Sequence, residues 1–125
     1  MAGEITTNLT LRVMKGSLNI QQVYAGSLTL TAAVPNVAGF TQIIPTTAAG
    51  TAIALGSVAT NGVAWFQNVD AANYIEIGIQ QGGVFYPLAR LNYGEAWTFR
   101  LAQGIVPYAR ANTGSVVLAY LIFDN

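Results

Sequence analysis

The chain has 125 residues, of which 53% are hydrophobic and only 8% charged. A chain of that length builds one domain around one core, whereas a charged share of about a quarter is usual for a soluble domain. Five basic and five acidic residues cancel, and there is no cysteine and no histidine. Disulfides, zinc sites built on Cys or His, and Ser–His or Cys–His catalysis are thereby excluded.

In chain order, the first element runs from Glu4 to Val13. Ile5, Leu9, Leu11 and Val13 share one face and Thr6, Asn8, Thr10 and Arg12 the other, the alternation of a half-buried strand. An echo follows, "GSLNI" at Gly16 and "GSLTL" at Gly26. It predicts short meandering strands, each opening at a Gly-Ser turn. Residues 1–31 are therefore expected to form N-terminal strands, an arm or a hairpin that packs on a neighbour, and residues 32–125 a β-sandwich domain.

Residues 32–62 are rich in Ala, Thr, Gly and Pro. A strand is expected at Phe40 to Ile44, and a weaker one at Thr51 to Leu55. "TNG" at 60–62 reads as a tight hairpin turn, because Asn-Gly accepts positive φ, with Val63 to Val69 pairing back. "WFQNVDAANYIEIGI", Trp65 to Ile79, reads as a hairpin with its turn at "NVDAAN". "QQGG" then turns the chain into a strand at Val84 to Leu88, and "NYG" at 92–94 turns it again into Glu95 to Leu101. Ile105 to Ala111 carries Pro107, which suits an edge or a bulge. The last strand, Ser115 to Phe123, is apolar on both faces, so it belongs in the middle of a sheet, under a second layer or a neighbouring subunit. No window has helical periodicity. About ten short strands at close spacing predict an all-β fold, a single jelly-roll-like β-sandwich, with a barrel as the lesser alternative.

Candidate sites have bland and sharp readings. Asp70 and Glu76 form a conceivable acid/base pair, but Asp70 lies in a turn, where Asp caps the backbone, and Glu76 lies on the polar face of a strand. Turn and surface roles are expected, and no catalytic, cofactor-binding or metal-binding residue is assigned. Trp97 shares a face with Phe99 and Leu101 and is expected in the core; Trp65 is ambiguous. Tyr86, Tyr93 and Tyr108 sit near turns and are candidates for subunit contacts, where Tyr is enriched. Arg90, Arg100 and Arg110 recur every ten residues. Either they gather into a small basic patch for an acidic partner, or they are solvated strand ends paired with Glu76, Glu95 and Asp70. The four arginines are scattered along the chain, which argues against a nucleic-acid partner. No apolar run reaches the ~20 residues of a membrane span, and "MAGEITTNLT" lacks the apolar core of a signal peptide; no membrane partner is expected.

Three stretches, "WFQNVDAANYIEIG", "FYPLARLNYGEAWTFRL" and "YARANTGSVVLAYLIFDN", resemble a pattern in small all-β structural proteins of tailed bacteriophages. An N-x-D-x-x-N-Y turn and strand is followed by an arginine-bearing strand, a G-E strand opening and a closing hydrophobic strand. The resemblance covers Trp65 to Asn125 and includes no catalytic signature. It implies a non-enzymatic virion protein made in the host cytoplasm. The most direct expectation is a capsid decoration or cement protein on the head surface, a homo-oligomer such as a trimer that contacts the major capsid protein. A tail or fibre component, or a carbohydrate-binding β-sandwich, are the alternatives.

Overall fold

A computed structural model describes residues 5–33 and 35–125. Glu4, the first residue of the expected opening strand, lies outside them. The described residues are all-β and contain no helix. They divide into two compact units, Met1–Ala33 and Val34–Asn125.

The first unit is a two-stranded antiparallel hairpin, β1 (Ile5–Lys15) with β2 (Leu18–Leu28). Gly16, at φ 59°, makes its turn, since a residue without Cβ takes positive φ at no steric cost. The second "GS" of the echo does not turn: β2 continues through Gly26 to Leu28 in unbroken register with β1. Both strands alternate, so Leu9, Leu11 and Val13 share a face with Tyr24, Ile20 and Leu18.

The second unit has eight strands: β3 (Val37–Ile44), β4 (Thr51–Ala52), β5 (Asn61–Asn68), β6 (Ile75–Gln81), β7 (Val84–Leu91), β8 (Ala96–Arg100), β9 (Tyr108–Ala111) and β10 (Val116–Asp124). They make two four-stranded sheets, in the orders β3-β10-β5-β8 and β4-β9-β6-β7, and every pairing is antiparallel. One core draws on both: Ile44, Phe66, Leu118 and Ile122 from the β10 sheet, and Ile75, Ile77, Leu91 and Ala109 from the β6 sheet. Alternation does the sorting. Along β10, Val116, Leu118, Tyr120 and Ile122 are buried, while Val117, Ala119, Leu121 and Phe123 turn outward and are partly or largely exposed.

Several local expectations change in the folded chain. Trp65 to Ile79 is strand, turn and strand, but not a hairpin: β5 and β6 lie in different sheets, and residues 69–74 carry the chain from one to the other. "TNG" is not a turn either. Asn61 and Gly62 are buried within β5. A Cβ on Gly62 would stand 2.9 Å from the Phe123 carbonyl oxygen, so glycine there serves a close backbone approach and not a positive φ. Pro107 is neither an edge residue nor a bulge; it precedes β9, which is paired on both sides. The strand that does contain a proline, Pro87 in β7, is an edge, and its register shifts beside Gly78, where a missing amide proton is tolerated. "QQGG" forms the expected turn, with Gly82 and Gly83 at φ 59° and 79° between the paired Gln81 and Val84.

Candidate functional site

The candidate arginines separate. Glu76 is the register partner of both Arg90 and Arg110, so these three lie in one row across β7, β6 and β9 on the outer face of the β6 sheet. Arg110 donates to Glu76 Oε1 at 2.8 Å from Nη2 and to the Ala48 carbonyl at 3.1 Å from Nη1. Its guanidinium also lies 4.8 Å from the Phe85 ring centroid. Gln80 Nε2 donates to the Ala49 carbonyl at 2.8 Å. Together these groups hold residues 45–50 down on the sheet over Phe85, which is buried. Arg110 is thus a structural clamp. Arg90, two strands away across the row, sits over the Tyr74 ring at 3.7 Å and donates to Asn92 Oδ1 at 3.1 Å. Arg100 is on β8 in the other sheet, with Nη1 donating to Asn125 Oδ1 at 2.7 Å. Two of the three expected patch members thus flank Glu76 in one row, and the ion pair with its carboxylate is made by Arg110.

Asp70 makes a turn. Its Oδ2 accepts the amides of Asn73 at 2.6 Å and Ala72 at 3.0 Å. Those two hydrogen bonds, Asn73 first, hold its carboxyl below the ordinary value. Asn68 carries the same turn from inside. This fully buried side chain donates to the carbonyls of Asn73 and Leu91 and accepts the Asp70 amide. Nothing in a local apolar/polar pattern marks Asn68 as a core residue, and the sequence reading passed it by. The same holds for Asp124. Its Oδ1 accepts the amides of Ala59 and Thr60, and its Oδ2 accepts the Asn36 amide and side chain. Burial alone would raise its pKa; the amides of Thr60, Asn36 and Ala59 outweigh that and hold the carboxyl below 3.8.

Trp97 is corrected: it is 54% exposed, not in the core. Its register partner Phe66 is fully buried, so Trp97 does point to the core side. But β8 is an edge strand, and beside it a groove of about 380 Å³ opens, lined by Ala89, Arg90, Leu91, Glu95, Ala96 and Trp97. Tyr86 and Tyr93 are exposed, and Tyr108 is half-buried on β9. A second pocket, about 300 Å³ and largely apolar, lies between Ile77, Leu88, Phe99 and Leu101.

Outside these pockets the protein presents two apolar surfaces. One is the hairpin face with Leu11 (62% exposed), Val13, Leu18, Ile20 and Tyr24. The other is the outer face of the β10 sheet, where Val37 and Phe123, Ile43 and Val117, and Trp65 and Leu121 are register neighbours; Ile43 is 68% exposed. Among the described residues no three His, Cys, Asp or Glu side chains are grouped to hold a metal ion, and no helix is long and apolar enough to cross a membrane. Comparison with protein-family models, with curated proteins and with solved structures finds no match to this chain.

Proposed function

We propose that this protein is a non-enzymatic structural subunit of a tailed-phage virion, acting as a capsid decoration or cement protein on the assembled head. The observation that carries the reading is the amount of large apolar side chain left exposed on a chain with ten formal charges. Monomers rarely expose contiguous apolar patches of this kind; such patches mark interaction surfaces. Copies that bury them against each other and across joints of the capsid lattice stabilise the shell by mass action, because they bind the assembled state and not its parts. The phage-like pattern of turns and strands over Trp65 to Asn125 supplies the context.

The finer architecture belongs to the same proposal: β3 to β10 form one jelly roll. The support is strand order. The chain changes sheet at every connection but β6–β7, which puts β3, β5, β8 and β10 in one and β4, β6, β7 and β9 in the other, and double-sheet jelly rolls recur in viral capsid and lectin domains. That is an argument from fold analogy, so function still rests on the surfaces.

Purified virions run on a gel test the proposal, with copy number counted against the major capsid protein. Hundreds of copies per particle are expected. A few tens place the protein in the tail, and absence from the particle overturns the reading. A carbohydrate-binding module is favoured by one observation, the exposed Trp97 on a groove that also holds Arg90 and Glu95. Sugar rings stack on such aromatics. Glycan-array binding that disappears in Trp97→Ala would move the assignment there.

A further inference from the structure

We propose that the apolar face of the β1–β2 hairpin is covered by the outer face of the β10 sheet of a second copy, reciprocally, in a two-fold dimer. The starting point is that a two-stranded hairpin alone is marginally stable at best in water. This one is a compact unit of its own with Leu11, Val13, Leu18, Ile20 and Tyr24 on one exposed or half-exposed face. Such a face requires a cover. The β10 sheet presents the matching need: β10 is a central strand whose outward residues, Val117, Leu121 and Phe123, are apolar like those facing the core.

The charges agree. Arg12 lies on the opposite face of the hairpin from Leu11; Lys15 shares the face of Leu11 and Val13 but stands at the tip, in the last pair before the turn. On the outer face of β3, β10 and β5 the non-apolar members are Thr41 and Gln67; the charge on that side of the sheet, Arg100, stands on the edge strand β8 beside Val63. Two such faces stack at ~10 Å with these two charges kept at the margin of the contact, the hairpin tip and the sheet edge.

Area decides the symmetry. Each hairpin strand has 11 residues. At ~3.4 Å per residue and ~5 Å per strand, the face measures on the order of 350 Å². One arm on one sheet therefore buries ~700 Å² in total, below the ~1,200 Å² at which stable interfaces begin. Reciprocal exchange doubles it to ~1,400 Å², within the standard range. A ring of three copies leaves one arm per interface; a two-fold pair puts two in the same interface, each copy giving and receiving the same patch.

This deepens the assembly reading and rests on it for self-association, not for the capsid. The chain has no cysteine, so single-cysteine variants report one site each. Leu11→Cys on the hairpin and Thr41→Cys at the centre of the outer sheet face both replace exposed residues. The two variants are mixed, treated with a short bis-maleimide and analysed by denaturing gel and peptide mass spectrometry. Cross-linked 11–41 heterodimers are expected, together with a dimer by sedimentation. In parallel, Leu11→Asp should shift sedimentation to monomer while leaving the melting of the eight-stranded unit unchanged. A sedimenting dimer without the 11–41 link overturns this inference and leaves self-association standing. An 11–41 link formed only within one chain, in the double-cysteine variant, also overturns it, because the arm then covers its own sheet. A monomer at every concentration overturns both. Copy number on the virion decides the capsid reading separately.

Discussion

At the scale of single residues, the polar side chains that matter most are knots in the backbone. Asn68 and Asp124 each satisfy three or four backbone or side-chain groups at the ends of strands. A buried donor left without its acceptor costs more than a typical hydrogen bond contributes. Asp124→Asn leaves at least one amide facing an NH2 group, so the melting temperature should fall by several degrees in differential scanning fluorimetry. The pH dependence has a definite sign. The folded carboxyl titrates below 3.8, so its contribution is whole above the ordinary carboxylate range and is lost as pH falls through the depressed folded value. Wild-type stability should therefore decline on acidification below about pH 4, and Asp124→Asn should flatten that decline. An unchanged slope would mean that another carboxylate governs acid unfolding. These knots were illegible in the sequence because an Asn or Asp reads locally as turn chemistry; the distant partners, Leu91 for Asn68 at 23 residues and Asn36 for Asp124 at 88, appear only when strands come together.

At the scale of the element, β10 was the most legible part of the chain. Its apolar residues in both alternating sets announce a central strand, and it lies between β3 and β5. Leu118 and Leu121 separate its two faces: Leu118 is fully buried and Leu121 is half-buried on the outer side. Leu118→Ala should lose ~2–5 kcal/mol of stability, the cost of deleting a buried Leu side chain. Leu121→Ala should lose far less and should instead weaken self-association. Thermal melting beside sedimentation at several concentrations checks both, and equal destabilisation of the two would show both faces to be internal. Period-2 alternation assigns faces; it is silent on how far the opposing sheet extends. That is why Trp97 was misread: its face is right, and its cover is missing at the edge. Asn61-Gly62 was misread for a related reason. Glycine answers equally to a positive φ and to a close backbone approach, and only the position of the Phe123 carbonyl distinguishes them.

For the whole molecule, the class of fold was legible and the pairing of strands was not. Nothing between Trp65 and Ile79 says that its two strands belong to different sheets. Ten charges summing to zero do have a consequence at this scale. Self-association driven by apolar burial should be nearly independent of NaCl between about 0.01 and 1 M, a range over which the Debye length shrinks from ~30 to ~3 Å. Sedimentation across that range checks it, and steep dissociation with salt would assign the contact to Arg90, Arg110 or their neighbours instead. The position of β10 also orders the events of synthesis. Val37 pairs with Phe123 and Asn61 with Asp124, so β3, and β5 along one edge, wait until β10 has left the ribosome. At ~5–20 residues per second that wait lasts seconds, whereas a hairpin such as β1–β2 closes in ~1–10 μs. The nascent chain therefore carries β3 unpaired, and β5 open along one edge, until β10 is made, and a chain released before β10 is left with a sheet that has no middle strand.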